Sequence, residues 1–161
     1  MRWILARAVT VAALVGAGSG PAQAQVAPAG LVYGGAGGYS DHGPAVFHVG
    51  GGVQALWEPG IGVLAEVGWV APFAFPGEGI GLLSLNAIVS VRGARPRSRL
   101  RPFITGGYGM AFREGVIHLL NVGGGIDWSL GRVAWRTEVR DHFSLGEVGH
   151  FWQVRTGLVW Q

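Results

Sequence analysis

Residues 121–142, NVGGGIDWSLGRVAWRTEVRDH, constrain the fold of this chain more than any other stretch. They read as two strands around a tight turn, because apolar and polar residues alternate with the period of two that a sheet with unlike surroundings requires. Val122, Gly124, Ile126 and Trp128 fall on one face, with Asn121, Gly123, Gly125 and Asp127 on the other. Across the turn, Val133, Trp135, Thr137 and Val139 oppose Ala134, Arg136, Glu138 and Arg140. With Leu130 and Gly131 as turn residues, Trp128 pairs with Val133 and Ile126 with Trp135, while Gly125 faces Arg136 and Gly123 faces Glu138. Asp127 is then diagonal to Arg136. Large charged side chains opposite glycines point to a confined polar space. A soluble sandwich sends such charges to water and needs no clearance for them, whereas a small barrel in lipid turns its apolar residues outward and its charges inward.

The remainder of the chain extends this pattern. Eight strand-like runs are expected, at about residues 31–40, 46–57, 61–72, 79–92, 102–112, 118–128, 132–142 and 150–161, mostly near the length a tilted strand needs to cross a bilayer. Val63, Ala65, Val67 and Trp69 alternate with Gly62, Glu66 and Gly68, although Leu64 and Val70 weaken the alternation. Leu83, Leu85, Ala87 and Val89 oppose Ser84, Asn86 and Ser90, and Trp152, Val154, Leu158 and Trp160 oppose Gln153, Arg155 and Gly157. The first and fifth runs are too rich in Gly and Tyr for their faces to be assigned. Three turns, 58–60, 92–101 and 129–131, belong at the periplasmic end. Four short outer loops are expected at 41–45, 73–78, 113–117 and 143–149.

Residues 1–24 have the form of a secretory signal: Arg2 and Arg7 lead, residues 8–17 are an apolar core, and Ala22-Gln23-Ala24 is a small-x-small cleavage pattern. Cleavage after Ala24 leaves one domain, residues 25–161. Its sequence is hydrophobic for a Gly-rich chain, with 30 Gly, 13% charged residues and a mean hydropathy of +0.35. Beyond the signal, however, no apolar run approaches the roughly 20 residues of a transmembrane helix. The isoelectric point near 10.2 does not imply nucleic-acid binding, since the net charge is only +3, Lys is absent and no basic stripe is interleaved with aromatics. Cys is absent too, which excludes a disulfide framework and Cys-based metal sites. No cofactor and no metal site is expected: His48 and His118 are isolated and read as lumen or loop residues. Arg95, Arg97, Arg99 and Arg101 form a basic turn able to meet anionic head groups.

The runs PFITGGYGMAF, NVGGGIDWSLG, RVAWRTEVRDHF and HFWQVRTGLVW resemble the small outer-membrane β-barrel proteins of Gram-negative bacteria, the OmpA-like or porin-like eight-stranded group. The resemblance spans about residues 28–161 and is most specific in the last 60. It implies an all-β fold, an eight-stranded antiparallel up-and-down transmembrane β-barrel following an N-terminal signal peptide, located in the cell outer membrane. It also implies two partners, the outer-membrane lipid bilayer and the barrel-assembly machinery, which reads a final strand ending in an aromatic residue. Here Trp160 is penultimate. A monomer is expected, with no peptidoglycan-binding domain following the barrel.

Two sets of residues are therefore singled out. Glu66, Asp127, Glu138, Arg136, Arg140 and Arg155, with Arg92 near one end, are expected to pair inside the lumen and fill it rather than line a pore. Trp57, Trp69, Trp128, Trp135 and Trp160 are expected to form an aromatic girdle. The one constellation with catalytic chemistry is His142, Ser144, Glu147 and His150, which is similar to the outer-membrane lipid A deacylases, although Leu145 stands where that family has Asn. Asp141 points away from His142 by strand alternation. A structural or surface-interaction barrel without turnover is the expected function. The alternatives are a lipid-A-modifying hydrolase and a soluble secreted barrel that binds a small apolar ligand.

Overall fold

The computed structural model describes residues 26–40, 43–57, 60–91, 99–146 and 149–160. Eight antiparallel strands close in sequence order into a barrel: β1 (Ala27–Tyr39), β2 (Val46–Trp57), β3 (Ile61–Pro72), β4 (Ile80–Ser90), β5 (Leu100–Phe112), β6 (Val116–Ser129), β7 (Val133–Ser144) and β8 (His150–Trp160). Closure joins β1 to β8, from Gly30 opposite Trp160 to Tyr39 opposite Phe151. A single 3₁₀ turn over Pro76–Glu78 lies between β3 and β4. The expected signal segment, Arg92, Arg95, Arg97 and Glu147 lie outside the described residues.

The alternation read from the sequence has its apolar side outward. Val53 and Ile104 are each 64% exposed, whereas Glu138 is 0% and Arg140 1% exposed. This inversion leaves the strands with an apolar outer surface and a polar middle. The faces of β1 and β5, undetermined by sequence, are set by pairing: Tyr33 on β1 and Phe103 and Thr105 on β5 point inward, with Val32 and Ile104 outward.

Leu64 and Val70 do not interrupt the pattern but belong to the inward face with Glu66. The interior is layered along the barrel axis. Leu31, Leu64, Ile88, Phe103 and Val159 pack together toward the end that carries the tight hairpins. Val46, Val70, Leu82, Leu119 and Phe151 pack toward the end that carries the other loops.

Three expectations need correction. The β6–β7 turn centres on Gly131-Arg132, with Leu130 N donating to Val133 O at 2.8 Å, not on Leu130-Gly131. The positive φ of 95° at Gly131 explains this: a two-residue hairpin with Gly in the first central position meets its left-handed requirement there. Moving the turn by one residue moves the register by two, so the faces survive while the partners change. Trp128 pairs with Trp135, Asp127 with Arg136 directly, Gly125 with Glu138 and Gly123 with Arg140. Secondly, β1 begins four residues earlier than its alternation suggests, because Ala27-Pro28 pairs with Leu56 and Ala55 of β2. Thirdly, β6 and β7 run further, into segments expected to be loop, because Val116 and Ile117 pair with Phe112 and Ala111 of β5, and Phe143 and Ser144 pair with Leu120 and Leu119 of β6.

Candidate functional site

The interior is built from the clearance that glycine provides. Glu66 lies opposite Gly52, Arg136 opposite Gly157, Glu138 opposite Gly125, Arg140 opposite Gly123 and Arg155 opposite Gly35. A Cβ on Gly125 would stand 2.0 Å from Thr137 O and 2.9 Å from Glu138 Cα, and one on Gly68 would meet the His48 ring at 2.3 Å. Each of these five side chains thus has, on one of its two neighbouring strands, an opposite position that carries none.

Six ionised groups divide into two units. In the centre, Glu138 accepts from Arg140 Nε at 2.8 Å, from Arg155 Nη2 at 2.7 Å and from Thr105 Oγ1 at 3.1 Å. Glu66 accepts from Arg140 Nη1, from Asn86 Nδ2 at 3.1 Å and from Ser84 Oγ at 3.3 Å. Arg155 Nη2 also lies 2.6 Å from Glu66 Oε1, in ion-pair contact but off the hydrogen-bond direction. The Arg155 guanidinium stacks over the Tyr33 ring at 4.3 Å. Two carboxylates and two guanidiniums, each shared, make a closed square of neutral total charge. Nearer the hairpin end, Arg136 grips Asp127 through two bonds, Nε to Oδ1 at 2.7 Å and Nη2 to Oδ2 at 2.8 Å. It also donates to Gln54 at 3.0 Å and stacks on Phe103 at 4.4 Å. Among the described residues no hydrogen bond or ion pair joins Arg136 to Glu138.

Sequence reasoning missed a third polar layer. Tyr33 OH is 3.2 Å from His48 Nε2, His48 Nδ1 meets the Gln153 side-chain carbonyl, and Gln153 Nε2 is 2.8 Å from His142 Nε2. The His142 ring stacks parallel on Phe151 at 4.4 Å. His48 and Gln153 are 105 residues apart, so spacing carried no signal. Their shared inward parity on β2 and β8 was the available clue.

Of the catalytic constellation, His142, Ser144 and His150 line one cavity at the loop end but are not hydrogen-bonded to one another. His142 is buried within the lumen and bound to Gln153. His150 pairs with Asp141 at 2.9 Å, and Ser144 Oγ accepts from Gly146 N at 3.4 Å. Among the described residues, no hydrogen bond joins Ser144 to either histidine. His118 meets the Tyr108 hydroxyl on the exterior. No group of three potential metal-ligating side chains is present among the described residues.

Trp69, Trp128, Trp135 and Trp160 project outward and are 40–50% exposed, and Trp57 is half-buried. Four of the five, Trp57, Trp128, Trp135 and Trp160, stand at the hairpin end. Trp69 stands at the other, where its Nε1 donates to Pro76 O at 3.4 Å. Trp152, Phe73, Phe112 and Phe143 are also exposed there.

The sequence matches no protein-family model and no curated protein. Solved structures are more informative. The N-terminal β-barrel domain of Pseudomonas aeruginosa OprF superposes with a TM-score of 0.63 at 15% identity, covering 84% of this chain and 98% of that one. Neisserial surface protein A gives 0.64 at 10% identity with the same coverage. The outer membrane enzyme PagL gives 0.57 at 13% identity, covering 80% of this chain and 97% of that one. At these identities the likeness speaks to fold alone, and the fold of this chain is that of the eight-stranded outer-membrane β-barrels.

Proposed function

We propose that this protein is an outer-membrane barrel of a Gram-negative bacterium with a structural or surface-interaction role and no turnover. One observation carries the reading: apolar residues cover the barrel wall while the ionised ones are enclosed. Exposed Val53, Leu85 and Ile104 in water would incur the cost of hydrating apolar surface, and in lipid they incur none. The aromatic residues near both strand ends suit the two interfaces of a bilayer. The partners are then the bilayer and, during insertion, the barrel-assembly machinery. The protein acts as a monomer whose lumen is closed by its own side chains. The neutral square of Glu66, Glu138, Arg140 and Arg155 supports closure, since it fills part of the lumen with paired groups and leaves no charge without a counter-charge. The soluble-barrel alternative needs the opposite placement of apolar and charged residues.

The test is electrophoresis of the detergent-extracted protein with and without boiling. A closed barrel migrates differently when unboiled. A monomer soluble without detergent, with one mobility, overturns the proposal. Absence of turnover is tested on lipid A. A hydrolase would need Ser, His and an acid in hydrogen-bond contact; Asp141 holds His150 Nδ1 at 2.9 Å, whereas His142 is bound to Gln153 and no hydrogen bond among the described residues joins Ser144 to either histidine. Lipid A incubated with the protein is expected to keep all its acyl chains by mass spectrometry. Loss of one chain that Ser144→Ala prevents would establish the enzyme instead.

A further inference from the structure

At the hairpin end the lumen opens through a shallow mouth of about 30 Å³, lined by Gln54, Ser90, Arg101, Asp127, Ser129 and Arg132 among others. Arg101 shares the inward parity of Phe103 and Thr105 on β5 and lies directly opposite Asp127 of β6. Arg132 is brought to the mouth by its turn: Gly131 takes the left-handed first position, and Arg132 is the second central residue. Ser129 N donates to Arg99 O at 2.8 Å, which ties the start of β5 to the β6–β7 turn and keeps both arginines at one opening. The charge there is not balanced as it is deeper in the lumen. Both oxygens of Asp127 are gripped by Arg136, so that pair is neutral and the charges of Arg101 and Arg132 remain. Neither of these two guanidiniums has a hydrogen bond or ion pair among the described residues, whereas Glu66, Asp127, Arg136, Glu138, Arg140 and Arg155 all have counter-charges. Like charges fixed at one opening favour an anion between them.

We propose that this mouth binds a phosphate group, held by the Arg101 and Arg132 guanidiniums and by the hydroxyls of Ser90 and Ser129. Phosphate suits this donor set better than carboxylate does. Each guanidinium presents a planar fork of N–H donors, and two forks with two hydroxyls exceed what the two oxygens of a carboxylate accept. The phosphate is either a soluble one, entering from the water at the mouth, or a lipid headgroup from the leaflet at the level of Trp128 and Trp135, which flank the same hairpin. Arg92, Arg95 and Arg97 of the neighbouring connection lie outside the described residues and form no part of the site.

The test follows the arginine Nε–H signals of the full barrel by NMR. In dodecyl maltoside micelles, which contain no phosphate, inorganic phosphate added at constant ionic strength is expected to shift the Arg101 and Arg132 signals saturably. Acetate is expected to bind about tenfold more weakly. Arg113, exposed at the opposite end of the barrel, is expected to show no saturable shift. Arg101→Gln and Arg132→Gln are each expected to weaken phosphate binding about tenfold, and Arg113→Gln to leave it unchanged. Gel migration of the unboiled variants shows that each is folded. Nanodiscs of phosphatidylglycerol separate the two sources. With a headgroup in the mouth, the Arg101 signal stands near its phosphate-bound position before any phosphate is added, and Arg132→Gln returns it. With a soluble ligand, the signal stands at its free position and moves only on titration. No saturable shift in micelles together with unshifted signals in nanodiscs, acetate bound as tightly as phosphate, or a loss from Arg113→Gln equal to that from Arg101→Gln overturns the proposal.

Discussion

The two ionic units of the lumen hold charge in different ways. Asp127 and Arg136 are direct cross-strand neighbours on β6 and β7, joined by a bidentate pair that needs only one hairpin. Glu66, Glu138, Arg140 and Arg155 come from β3, β7 and β8, and each carboxylate serves both arginines. The first unit is a local device that fixes the register of one hairpin. The second acts as a set of struts across the barrel, whose geometry exists only when the wall is complete. Burial of charge alone does not predict the importance of a pair. What differs is how many partners are stranded when one group is removed.

That difference can be broken or sharpened by substitution. The largest effect is expected from Glu138→Leu, which leaves two guanidiniums sharing the single carboxylate of Glu66 in a dry interior, at about 3–5 kcal/mol in urea unfolding from lipid vesicles. Asp127→Asn is expected to cost less, about 1.5–3 kcal/mol, because Arg136 keeps Gln54 and the face of Phe103. Equal losses would show that both units are local. The smallest effect, at most about 1 kcal/mol, is expected from His150→Gln, which removes an ion pair of two partly exposed side chains. A loss as large as that of Glu138→Leu would mean that the rim pair, and not the square, braces the wall.

Much of this architecture was legible in the chain. Alternation in β2, β3, β4, β6, β7 and β8 marked the strands and separated the outward tryptophans from the inward charges, because a period of two survives any register. The register itself was not legible. Leu130-Gly131 and Gly131-Arg132 are equally good turns on paper, and only the demand for a left-handed first position favours the second. Leu64 and Val70 read as blemishes because a lumen was expected to be polar throughout, whereas near the ends it is packed like an ordinary core. In β1 and β5, glycine erased the contrast between faces, so pairing with neighbours had to decide them. The Tyr33, His48, Gln153 and His142 chain joins β1, β2, β7 and β8, and no local pattern encodes such a contact.

Glu66 sets a condition on the order of events in assembly. Its guanidinium partners lie 74 and 89 positions further along the chain, on strands that meet it only across the finished lumen. A hairpin of β3 and β4 entering hydrocarbon alone would carry that carboxylate with Ser84 and Asn86 as its company and no cation. Insertion one hairpin at a time is therefore steeply uphill at the third strand. The route that avoids this ascent keeps the inward face wet until β8 has reached β1, so that the water is expelled and the charges meet in one concerted step.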